Sequence, residues 1–136
     1  MRPDPKFAGT PRDWLRRAKS NLARAKQSKP AGAVWEDLCF DAQQAAEKAI
    51  KAVLVLLGVG FPKTHDIREL LGLAGQADLD IPQEVQDAMD LTDYAVATRY
   101  PSAAEPVTRE EYGQAVGMAE LVVQWAERTI KSRRKR

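Results

Sequence analysis

The stretch FPKTHDIREL, residues 61–70, contains the only histidine of this 136-residue chain. Imidazole takes up and releases protons near neutral pH, so His65 is the first candidate for acid–base work or for a ligand contact. Lys63 and Asp66 flank it. A helix that starts at His65 or Asp66 would also offer free backbone N–H groups to a phosphate beside Lys63 and Thr64. Three readings stay open for His65: a side chain that hydrogen-bonds the loop or a neighbouring helix, a nucleotide or phosphate contact, and a catalytic base. Arg99 and Tyr100 stand in the longest irregular segment, TRYPSAAEPV, where functional residues tend to lie. Arginine can grip a phosphate with two N–H groups, and tyrosine can stack on a base. Equally, Arg99 can pair with an acid such as Asp93 while Tyr100 and Pro101 pack the turn.

Other chemistries are closed off by composition. One cysteine, Cys39, makes no internal disulfide, and one cysteine with one histidine cannot build a zinc cluster. No cofactor or metal is expected. Gly58 and Gly60 are no phosphate loop, since neither a strand before them nor a Gly-Lys-Ser/Thr after them is present; they read as a helix stop. The start, MRPDPKFAGTPRDW, lacks the apolar run of a signal peptide. The longest apolar stretch, Ala52 to Phe61, is about half of a membrane span. A cytoplasmic protein without membrane association is expected.

The net charge of +2 hides an asymmetry. The last six residues, KSRRKR, carry five cations, and without them sixteen basic residues face nineteen acidic ones. The organisation is therefore one domain over residues 1–130 and a basic tail over 131–136. Such a tail can attract phosphate backbones or stand solvated without a partner.

The elements that must position these residues are helical, because no window alternates with the period of a strand. The first helix opens at TPRDW, with Thr10 as N-cap, Pro11 in the first position and Asp13 in the first turn. Trp14, Leu15, Ala18, Leu22 and Ala25 form its apolar stripe, and Pro30 with Gly32 breaks the chain near Lys29. The second helix, about Ala33 to Leu57, is the longest. Trp35, Leu38, Cys39, Ala42, Ala46, Ala49, Val53 and Leu56 share one side; Gln43, Glu47 and Lys51 run down another with i, i+4 spacing. The third helix uses DIRE as an acidic capping box, Asp66 capping and Glu69 reaching back, and buries Ile67, Leu70, Leu71 and Ala74. The fourth runs from about Pro82 to Ala97. The fifth opens with a full capping box, TREE from Thr108 to Glu111, and continues to about Lys131. Trp14, Trp35 and Trp125 are expected in the core. The fold class is all-α: an up-and-down bundle of about five helices whose second and fifth members form the long central pair.

EDLCFDAQQAAEKAIKAVLVLLGVGFPKTHDIRELL, the later LTDYAVATRYP, and EEYGQAVGMAELVVQWA resemble, in this order and at these separations, the HEPN domain family over roughly Trp14 to Thr129. The resemblance implies a helical bundle that pairs into a homodimer and associates with nucleotides or RNA. It also implies a minimal nucleotidyltransferase as partner, in toxin–antitoxin-like or defence modules. It moves the alanines of the second helix toward a dimer seam. Many members are metal-independent ribonucleases that use an Arg, four to six residues, then His. Here that Arg would fall on Gly58, Val59 or Gly60, so the motif is absent, and the expectation leans away from an enzyme. The expected role is a nucleotide- or RNA-binding accessory with Lys63, His65, Asp66, Arg99 and Tyr100 as its ligand-binding surface. The alternatives are a ribonuclease toxin with a rearranged Arg/His pair and a purely structural interaction domain.

Overall fold

Thr10 starts the first helix as its sequence predicts. In a computed structural model, which describes residues 9–92, 94 and 106–134, its hydroxyl accepts from the Asp13 N–H, and Asp13 accepts from the Thr10 N–H. This reciprocal box satisfies two of the four backbone donors left free at a helix start. Five helices follow one another among the described residues: α1 (Pro11–Lys26), α2 (Trp35–Leu57), α3 (Ile67–Gln76), α4 (Gln83–Gln86, continuing as a 3-10 turn over Asp87–Thr92) and α5 (Arg109–Arg134). No strand is present among them.

Two boundaries differ from the sequence reading. α1 ends at Lys26, where the extended backbone of Gln27 sends its N–H back to the Arg24 carbonyl, before Pro30 is reached. The fourth helix, expected as one continuous element, tightens into a 3-10 turn after one α-helical turn. That turn places the Thr92 hydroxyl where it accepts from the Ile67 N–H at the start of α3. Gly58 stops α2 as expected, in the left-handed conformation (φ 72°) that glycine adopts without steric cost. The Thr108–Glu111 capping box opens α5 in both directions.

α1 lies antiparallel to α2 and to α5. Its Lys26 reaches Glu120, whereas its Lys19, further toward the N-terminus, reaches Glu127; Trp14 meets Phe61, just beyond the end of α2. Trp35 stacks on Tyr112 with ring centroids 4.6 Å apart, so α2 and α5 begin at the same end and run parallel. α2 is the central element: α1, α5 and α3 all pack against it. Ala42, Ala45, Ala46, Ala49 and Ala52 are fully buried in the single chain. Small side chains let neighbouring helices approach closely, so the alanine run is consumed by intrachain packing. It is not a dimer seam. Trp125 is buried as expected, but Trp14 and Trp35 are only half-buried.

Cys39, fully buried on α2, yields a first prediction. Burial, then the carboxylates of Glu36 and Glu111, pushes its thiol up to about 12. The reactive thiolate is therefore scarce at neutral pH. A disulfide reagent should label Cys39 only when denaturant opens the bundle. Stoichiometric labelling of the native protein within minutes would show that α2 is accessible after all.

Candidate functional site

Gln43, Glu47 and Lys51 stand one turn apart on α2, and all three are buried, with Glu47 only 2% exposed. A charge placed there must be compensated inside the protein. Lys51 Nζ donates to Glu47 Oε2 at 2.9 Å, and Gln43 Nε2 donates to Glu47 Oε1 at 3.0 Å. The Lys51 ammonium also faces the rings of Trp14 and Phe61, 5.6 Å from each centroid. His65 completes the group: its Nδ1 lies 2.9 Å from Glu47 Oε1, while Gln43 Nε2 also donates to the His65 carbonyl at 3.2 Å. Burial pushes the Glu47 carboxyl pKa up. The hydrogen bonds from Lys51, Gln43 and His65, with the Lys51 charge, outweigh it and hold the group below the ordinary glutamate range. The His65 side chain itself is 66% exposed. A buried carboxylate thus grips one edge of a ring whose other edge meets solvent.

Three of the backbone amides expected to await a phosphate at the start of α3 are occupied. Thr64 Oγ1 accepts from the Asp66 N–H, Thr92 Oγ1 from the Ile67 N–H, and Asp66 Oδ1 from the Arg68 N–H. Asp66 is the N-cap, as predicted, but its own N–H is satisfied by Thr64 rather than by Glu69. Lys63 is exposed on the same loop. Arg99 and Tyr100 lie outside the described residues, as does Asp93. Among the described residues no arginine contacts His65.

Antiparallel packing gathers the start of α1, the end of α2, the loop to α3 and the end of α5 at one end of the molecule. Residues 9–19, 46–66 and 127–133 hold ten of the fifteen described Lys and Arg side chains, but only four of the sixteen described Asp and Glu. Two clefts flank α1 there. One, of about 390 Å³, is lined by Gly9, Asp13, Trp14, Arg17 and Lys48. Burial, partly countered by Glu47, holds the Lys48 ammonium below the ordinary lysine range; Arg17 and Lys51 push the same way as burial, and Asp41 opposes. The other cleft, of about 380 Å³, is lined by Leu15 and Ile130, by Arg12, Arg16, Lys19 and Lys131, and by Glu127, which pairs with Lys19 and Lys131. Lys131, the first residue of the basic tail, is part of α5, and the helix continues to Arg134. Cations there also complement the negative end of the helix dipole. Among the described residues no three His, Cys, Asp or Glu side chains are placed to share a metal ion, and no helix is long and apolar enough to cross a membrane.

The family model of the HEPN domain matches residues 11–129, the whole of the five-helix unit but its last turn. The chain belongs to the HEPN domain family. Two solved structures are similar to this HEPN domain. TT1696 from Thermus thermophilus shares 35% identity at a TM-score of 0.73, over 88% of this chain and 97% of that one. ST0689, described as an archaeal HEPN homologue, shares 26% identity at a TM-score of 0.71, over 90% of this chain and 98% of that one. Comparison with curated proteins finds no match. The missing Arg of the ribonuclease spacing has a physical counterpart in this HEPN domain. The positions where it would stand, Gly58 to Gly60, are the C-terminal cap of α2 and the turn after it, not part of a helix shared with His65.

Sequence reasoning identified His65 but missed what holds it. The i, i+4 spacing of Gln43, Glu47 and Lys51 was visible; that their side of α2 is buried was not. The contribution of α1, with Arg12, Arg16, Arg17 and Lys19 in two turns, was legible as a count of cations but not as a place.

Proposed function

We propose that this HEPN domain is a homodimeric accessory protein that binds nucleotide or single-stranded RNA at its basic end. We further propose that its partner is a minimal nucleotidyltransferase in a toxin–antitoxin-like or defence module. One observation carries the binding reading: the segregation of cations to the end of the bundle where His65 is presented. Net charge alone would not support it, since the whole chain is only +2. Local cation density next to clefts attracts phosphates because field lines concentrate over the low-dielectric protein surface. Arg17 and Lys48 beside Trp14 supply charge next to an aromatic ring, the pairing that single strands use. The dimer and the nucleotidyltransferase rest on the family. With the α2 alanines buried, the dimer uses another face.

A ribonuclease is the second reading, and the Glu47–His65 contact favours it, because a base held by a third group is how catalytic sites orient imidazole. One experiment separates the two. Sedimentation of the protein with labelled single-stranded RNA in EDTA should show intact RNA moving with a species near twice the 15.1 kDa chain mass. His65→Ala should weaken that binding about fivefold to tenfold, the worth of one hydrogen bond. RNA that stays free would sink the binding reading, a monomeric complex would remove the dimer, and cleavage by wild type but not by His65→Ala would replace the accessory with a nuclease.

A further inference from the structure

Glu47 lies outside the Arg/His spacing of the ribonucleases, yet it constrains His65 more than any neighbour in sequence does. An ionised carboxylate only accepts hydrogen bonds. Burial opposes its charge, but Lys51 and Gln43 bind Glu47 strongly enough to hold it ionised. At 2.9 Å from Glu47 Oε1, Nδ1 of His65 must therefore be the donor and carry the proton. Turning the ring over about its Cβ–Cγ bond would put Cδ2, not Nε2, in this place, and Gln43 holds the His65 backbone through the carbonyl.

We propose that Glu47 is a positioning residue for His65, fixing the ring with Nδ1 protonated and leaving Nε2 as the one histidine nitrogen offered to a ligand. A neutral ring then accepts a hydrogen bond from a ligand hydroxyl or N–H. It donates to an anion only after Nε2 takes a proton, so the anion affinity of this corner is linked to that proton. The charged groups around the ring are Glu47 and Lys51 on α2 and Lys63 and Asp66 on its own loop. The ligand half of this inference rests on the binding reading above; the tautomer half does not.

The test uses the fact that His65 is the only histidine, so its ring signals need no assignment. Long-range proton–nitrogen spectra of the ligand-free protein, at a pH where the ring is neutral, should show the Nδ1–H form in excess. A dominant Nε2–H form in the wild type would overturn the proposal without any variant being needed. Glu47→Ala, which removes the acceptor, should abolish the excess where folded, and an unchanged ratio would count against Glu47 as its cause. Sulfate, a dianion across the whole window, then serves as the probe. Its affinity, read from the same signals, should fall about tenfold once the ring is neutral, the loss of one charge-assisted bond. Equal sulfate affinity with the ring protonated and with it neutral would overturn the proton linkage while leaving the tautomer standing. Neither result depends on whether RNA binds, so the two proposals fail separately.

Discussion

Replacing Glu47 by leucine is expected to cost about 3–5 kcal/mol of folding stability, because it leaves the Lys51 ammonium buried without its counter-charge. Lys51 is 8% exposed. The aromatic rings of Trp14 and Phe61 attract it, but a desolvated cation–π contact is worth on the order of 2 kcal/mol, less than the several kcal/mol of desolvating an unpaired ion. Lys51→Met should be costly for the mirror reason, leaving the Glu47 carboxylate with only neutral donors and His65. The double variant Glu47→Leu/Lys51→Met should recover most of the loss, since it removes both charges and fills the space with apolar atoms. Urea denaturation of the four proteins gives the coupling energy. Strictly additive losses would mean that the two side chains do not compensate each other in solution. The pH dependence carries the same information. The folded Glu47 carboxyl titrates below its unfolded value. Its contribution is therefore fully present above the ordinary glutamate range, about pH 4.3, and is lost as pH falls through the lower folded value. The double variant should lose less stability than wild type on acidification.

Neutralising the C-terminal cations should flatten the salt dependence of RNA binding by up to about 3.5 log units per log of salt. Each of the five cations releases at most about 0.7 counterions on a single strand. Glutamine substitutions are preferable to deletion, because Lys131–Arg134 form the last turn of α5 and Lys131 lines the α1–α5 cleft. Thermal melts should stay close to wild type, since the contact of Lys131 with Glu127, at 3.8 Å, is a surface pair of small value. An unchanged slope would assign the electrostatics to the clefts alone. A slope that collapses entirely would show that the clefts contribute nothing without the tail.

The helices of this protein were legible residue by residue. Thr10, Pro11 and Asp13, the Thr108–Glu111 box and Gly58 act through bonds within four residues along the chain, so their meaning does not wait for tertiary structure. The apolar stripe of α3 was legible too, because a helix with period 3.6 has only one face to bury. α2 was legible only in part: the predicted stripe from Leu38 to Val53 is buried, but so is the side with Gln43, Glu47 and Lys51, since the helix lies between α1, α5 and α3. Read as an isolated helix, Gln43, Glu47 and Lys51 look like a solvated pair with a polar neighbour. Packed, they become a buried network that opens to solvent through His65. The sequence by itself determined most helix starts and stops, that Asp66 caps the third helix just after His65, and that no Arg stands at the ribonuclease spacing before His65. Only the tertiary structure decided which amides at that start were already taken, which carboxylate holds the ring, and that cations spread over three helices meet at one end. The reason is distance along the chain: Glu47 lies eighteen residues before His65, and Lys19 lies 108 before Glu127. No local pattern records contacts of that range; antiparallel packing creates them.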